Sequence, residues 1–133
     1  MDTKGLNSLL CEVVDQIILL DGMSYEDEKY DDEEEKLHDL EDKLVDEYGE
    51  VIEEIMDDVH VDNAIDSDVL SPIAYLAKKY QMEGENYNVD VTEGVYVSLD
   101  AYPTVDTRLV LLPNPLRVLM NVAGIKGKIL WEA

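Results

Sequence analysis

Between Leu37 and Val59 the apolar residues Leu37, Leu40, Leu44, Tyr48, Val51, Ile55 and Val59 follow one another at separations of 3, 4, 4, 3, 4 and 4. This eleven-residue repeat is close to the period of a straight α-helix, so the segment predicts a long helix laid on a domain core rather than a heptad coiled coil. Tyr30 carries the stripe one turn further back, past Glu33 and Glu34, and the first turns are expected to protrude or fray. Ser24 reads as the N-cap, with Glu26, Asp27 and Glu28 in a first turn where the helix dipole favours negative charge. Gly49 falls opposite the stripe as a tolerated weak point.

Two further helices flank this one in the sequence. Leu6, Leu9, Leu10, Val13, Val14, Ile17 and Leu20 share one face of a helix that ends at Asp21-Gly22, with the glycine suited to a left-handed cap. Ser71-Pro72 then reads as N-cap and first residue of a third helix, with Ile73, Leu76, Ala77 and Tyr80 as its apolar stripe and Gly84 as its terminator. From Tyr87 the pattern changes to period two: Val89 and Val91, then Val95, Val97 and Leu99, then RLVLL at 108–112, LRVLMNV at 116–122 and KILW at 128–131. The connectors at Tyr102-Pro103, Pro113-Asn114-Pro115 and Lys126-Gly127 are short, so successive strands should pair antiparallel as a meander, with RLVLL in the centre. The fold class expected is α+β, three N-terminal helices on a C-terminal antiparallel sheet of four to five strands. A chain of 133 residues has room for one such domain, its helical part at 1–82 and its meander at 86–133.

Charge is distributed unevenly over this plan. The formal net charge is -22, and residues 1–68 hold 25 acidic and 4 basic side chains against 7 and 6 in residues 69–133. Such a balance repels nucleic acid and anionic membranes, and confinement to one half argues for a local cause over a salt-adapted surface. The densest run is EDEKYDDEEE at 26–35. Residues 26–58 carry 18 acids and 3 lysines, one net negative charge per about 3.3 Å of helix axis, against one phosphate per about 3.4 Å of each DNA strand. A rod of that density can occupy the basic groove of a nucleic-acid-binding protein. The expected partner is therefore a basic protein surface, such as that of a nucleic-acid-processing enzyme, met by Glu26, Asp27, Glu28, Asp31, Asp32, Glu33, Glu34, Glu35, Asp39, Asp42 and Asp46. In composition, the first half of the chain resembles nucleic-acid-mimicking inhibitors and the immunity proteins that neutralise nuclease toxins.

Two other readings compete with this one. The acidic helix of a structural or adaptor domain can be acidic merely because it is solvated. A metal-dependent enzyme would draw on His38 with Glu34 and Asp42 at helical spacing, or on His60 with Asp57, a spacing that any histidine in so acidic a helix meets by chance. DNAIDSD lacks the central glycine and closing glutamate of an EF-hand loop. No GxSxG, glycine-rich phosphate loop, HExxH or CxxC motif is present, and neither a cofactor nor catalysis is expected. Arg108 and Arg117 flank the Pro113-Asn114-Pro115 hairpin and could together hold an anion, although strand-end or acid-pairing roles are commoner. The lone Cys11 reads as packing filler, rules out an internal disulfide and, with the interrupted N-terminal apolar run, suggests a cytoplasmic setting.

Overall fold

Helix α1 (Thr3–Asp21) forms where the helical period gathers Leu6, Leu9, Leu10, Val13, Val14 and Ile17, and all six are buried. The computed structural model describes residues 2–99, 105–123 and 125–133. Asp2 caps α1, its carboxylate accepting from the Gly5 N–H at 3.0 Å. Gly22 ends the helix in a right-handed conformation (φ -86°), not the left-handed one that its position suggests, and its N–H bonds back to Ile18 and Leu19.

Helix α2 (Tyr30–Asp62) is unbroken over 33 residues. It starts six residues after Ser24, which is therefore not its cap. The Ser24 hydroxyl accepts from Glu26 N–H, and successive turns at Ser24–Asp27 and Asp27–Tyr30 lead into the helix, so Glu26, Asp27 and Glu28 lie before it. Local side-chain bonding competes with helical backbone bonding here, as it does wherever Ser and Asp cluster. The buried face is also rotated from the expected stripe. Leu44, Ile52, Ile55, Met56 and Val59 are fully covered, whereas Leu37, Leu40, Tyr48 and Val51 are only partly so. Gly49 is buried, and a Cβ added there would meet Val45 at 3.6 Å and Pro72 at 3.8 Å, both ordinary contacts.

The third helix is reduced to a single 3₁₀ turn, Pro72–Tyr75, after which Leu76 is extended. Its apolar residues find partners that a helix would deny them. The Tyr80 hydroxyl accepts from Ala77 N–H and donates to the Leu111 carbonyl at 2.8 Å, and the Tyr75 hydroxyl accepts from Leu70 N–H. The chain then forms a hairpin, β1 (Gln81–Glu83) with β2 (Asn86–Asn88), across the boundary at which helix was expected to give way to meander. Gly84 adopts φ 64° in its two-residue loop and is a turn residue, not a helix terminator. Val89 and Val91 belong to no strand, because Asp90 turns the chain through bonds to Thr92 and Glu93.

The main sheet is antiparallel in the order β3 (Val95–Val97), β4 (Thr107–Leu112), β5 (Arg117–Val122), β6 (Ile125–Glu132). The architecture is α+β with two helices and two sheets, rather than three helices and one. Lys126 and Gly127 lie within β6, so the β5–β6 turn falls earlier than expected; the Tyr102-Pro103 connector lies outside the described residues. Leu109 to Leu112 are all fully buried, as a central strand covered on both faces requires. Gly94 (φ 116°) passes so close to β4 that a Cβ there would stand 2.7 Å from the Leu109 carbonyl oxygen. The apolar core draws on α1, α2, the hairpin and the main sheet together. Among the described residues, no helix is long and apolar enough to cross a membrane.

Candidate partner-binding surface

The acidic surface of α2 has an order of its own. Asp31, Glu35, Asp39, Asp42, Asp46, Glu50, Glu53 and Asp57 stand at separations of 4, 4, 3, 4, 4, 3 and 4, the same eleven-residue repeat as the apolar residues. At roughly 100° per residue they occupy one arc of about 100° over some 39 Å of axis. All eight are exposed. The helix as bounded by the structure carries 16 carboxylates and two lysines, or one net negative charge per about 3.5 Å.

Little within the fold offsets this charge. The ion pairs among the described residues are Lys79 with Asp21 and Arg108 with Asp106, and neither involves α2. Lys36 and Lys43 lie inside the acidic helix without closing an ion pair on it. Asp31, Asp32 and Glu33 suit the first turn, but Asp62 sits in the last, where the dipole disfavours an anion by roughly 0.3–1 kcal/mol.

The eleven acidic residues singled out from the sequence divide into groups. Asp31, Glu35, Asp39, Asp42 and Asp46 lie on the stripe, with Asp32 at its margin. Glu26, Asp27 and Glu28 are exposed in the turns ahead of the helix. Glu33 is turned toward α1, where the Gln16 side-chain amide donates to its carboxylate at 2.7 Å and to its backbone carbonyl at 2.8 Å. That double contact pins the start of α2 to α1 and occupies one carboxylate oxygen. Glu34 faces a groove on the other side. Glu50, Glu53 and Asp57 were missed, although the eleven-residue period, applied to charged residues as well as apolar ones, picks them out.

The groove lies between the end of α1, the N-terminal half of α2 and the 3₁₀ segment, with a volume of about 630 Å³. Ile17, Leu20, Leu37, Leu76 and Ala77 give it an apolar lining, and Glu34, His38 and Glu41 line it from α2. Partial burial pushes the Glu41 carboxyl above the usual carboxylate range; nearby His38 opposes the shift and Asp42 reinforces it. Tyr25 and Tyr30 stand at one end, ring centroids 4.9 Å apart.

The remaining sequence candidates have structural partners. Arg108 is forked onto Asp106, and Arg117 donates to the backbone carbonyls of Pro113, Pro115 and Tyr87, so the two guanidiniums do not form a shared anion site. His60 is buried at 7% exposure, with Nδ1 2.8 Å from the Met56 carbonyl, while Asp57 is exposed. Among the described residues, no three His, Cys, Asp or Glu side chains are grouped to hold a metal ion, Glu34, His38 and Asp42 included. Burial raises the Cys11 thiol, Asp15 adds to the shift and a hydrogen bond with Tyr87 opposes it, so the thiol form is favoured. The Tyr87 hydroxyl meanwhile donates to Asp15 at 2.6 Å and ties the hairpin to α1. No family model matches the chain, and no match was found among curated proteins or solved structures.

Proposed function

We propose that this chain is a non-catalytic binding protein whose second helix presents its acidic stripe to a basic surface on another protein, the nucleic-acid groove of a nucleic-acid-processing enzyme. The observation that carries this reading is the row of eight exposed carboxylates along one arc of α2, none of them in an ion pair among the described residues. The solvent face of any straight helix recurs at this period; what supports the reading is that every position of the row is acidic and that leaving it unneutralised lowers the stability of the fold. Long-range attraction from a row of this kind steers a basic partner and raises its association rate, and neutralisation on contact releases the counterions that both surfaces had held.

The test is capture on the immobilised chain from the native host and from any host it infects or competes with, comparing wild type with an Asp39→Lys, Asp42→Lys, Asp46→Lys variant. Those three side chains are exposed, so the reversal leaves the packing intact. A basic nucleic-acid-binding protein retained by wild type at low salt, released at high salt and absent from the variant is the expected result. Equal retention by both would mean that the stripe is a solvated face and that binding lies elsewhere.

A further inference from the structure

The groove beside the stripe has a chemistry that the stripe lacks. Glu34 and Glu41 lie seven residues apart on α2, about 10.5 Å along the axis, and Leu37 lies between them. Ile17 and Leu76 add to its apolar lining. Tyr25, 85% exposed, packs against Tyr30 at one end and offers an aromatic face to solvent. Lys78 and Lys79 also line the groove; Lys79 reaches Asp21 at 3.8 Å, so Glu34 and Glu41 of α2 stand in the groove beside Lys78 alone among the remaining lysines. The Glu41 carboxylate is partly desolvated among these apolar side chains, and among the described residues it forms no ion pair.

We infer that this groove receives an amphipathic basic segment of the partner, two arginines about two helical turns apart with apolar side chains between them. Arginine fits where lysine does not: its planar guanidinium forks onto a carboxylate and stacks on a tyrosine face, and it is the more weakly hydrated of the two cations. The apolar side chains between the arginines cover Leu37 and Leu76, which the fold leaves partly open. On α2 the groove adjoins the stripe through His38, so one partner can engage both. The inference rests on the proposed basic partner and adds where that partner is read for sequence rather than for charge alone.

The probe is a capped peptide, RAALLAAR, titrated into the isotope-labelled full chain and followed by backbone and side-chain NMR, beside RAAAAAAR and EAALLAAE as controls. RAALLAAR is expected to shift Tyr25, Leu37 and Leu76, and to bind on the order of tenfold more weakly to Glu34→Gln, Glu41→Gln, whose isosteric changes preserve the fold. RAAAAAAR is expected to shift stripe residues only. If both basic peptides shift the stripe and neither the groove, or if the Gln variant binds RAALLAAR unchanged, the groove inference is wrong while the stripe reading stands. If EAALLAAE enters the groove equally well, the groove selects apolar surface and the arginine assignment fails. If no basic peptide perturbs any residue of α2, the parent reading fails as well.

Discussion

Ala64 holds φ 51°, a left-handed conformation that costs an L side chain roughly 1–2 kcal/mol. The strain has a use: with Asn63 as C-cap, Ile65 N–H bonds to the His60 carbonyl and Ala64 N–H to that of Val61, the Schellman pattern that ends α2 and delivers Ile65 to the core. Ala64→Gly should therefore stabilise the protein by about 0.5–1 kcal/mol, the extra unfolded-state entropy of glycine taking back part of the relief. Urea unfolding with an unchanged m value checks this, and a lower midpoint would contradict it. Glu41 gives a pH-dependent counterpart. Its pKa in the fold is raised by burial, so folding favours the protonated form; that contribution is full below the ordinary carboxylate pKa and disappears as pH rises through the folded value. Glu41→Gln should melt above wild type at pH 7, and the gap should close as pH falls below about 4. A gap that widened in acid would have the wrong sign.

At the scale of elements, α2 is where local sequence and global fold disagree most. Its eight stripe carboxylates repel one another within a Debye length of about 8 Å at physiological salt, so raising sodium chloride from about 0.05 to about 0.5 M should raise the melting temperature. The Asp39→Lys, Asp42→Lys, Asp46→Lys variant should melt higher than wild type at low salt and respond less to salt. Equal salt slopes for the two proteins would show that the stripe carries no self-repulsion. How much of each element could be read beforehand follows from how local its causes are. The α1 stripe was legible because a single period repeats in it without interruption, and the RLVLL strand because its apolar run leaves no polar face. The missing third helix was not, since its fate depends on Tyr80 reaching Leu111, a contact between residues 31 apart in sequence. The start of α2 moved from Ser24 to Tyr30 because the Ser24 and Asp27 side chains bond their own backbone. Ile52 and Met56 were passed over for Leu37 and Leu40, because only packing against the rest of the fold decides which arc of α2 is covered. At the candidate site the run of acids was plain, but the turning of Glu33 toward Gln16 and of Glu34 into the groove depends on where α1 lies.

For the molecule as a whole, the division of charge follows the division of labour. The half with almost no net charge supplies β4, buried along Leu109 to Leu112, while the half with nearly all of it presents one long helix whose C-terminal portion is anchored in the core and whose charged face stays in water. Such an arrangement holds the net negative charge of α2 at about one per 3.5 Å of axis, close to the phosphate spacing of a nucleic-acid strand, with eight of its carboxylates in one exposed row. In the proposed function the row takes the place of nucleic acid on a basic partner. The most direct measurement loads the captured partner with a fluorescently labelled duplex and titrates in this chain at constant ionic strength, following anisotropy. Wild type is expected to release the duplex at near-stoichiometric concentration, and the Asp39→Lys, Asp42→Lys, Asp46→Lys variant is not. A ternary complex, in which the chain binds while the duplex stays in place, would contradict the proposed function.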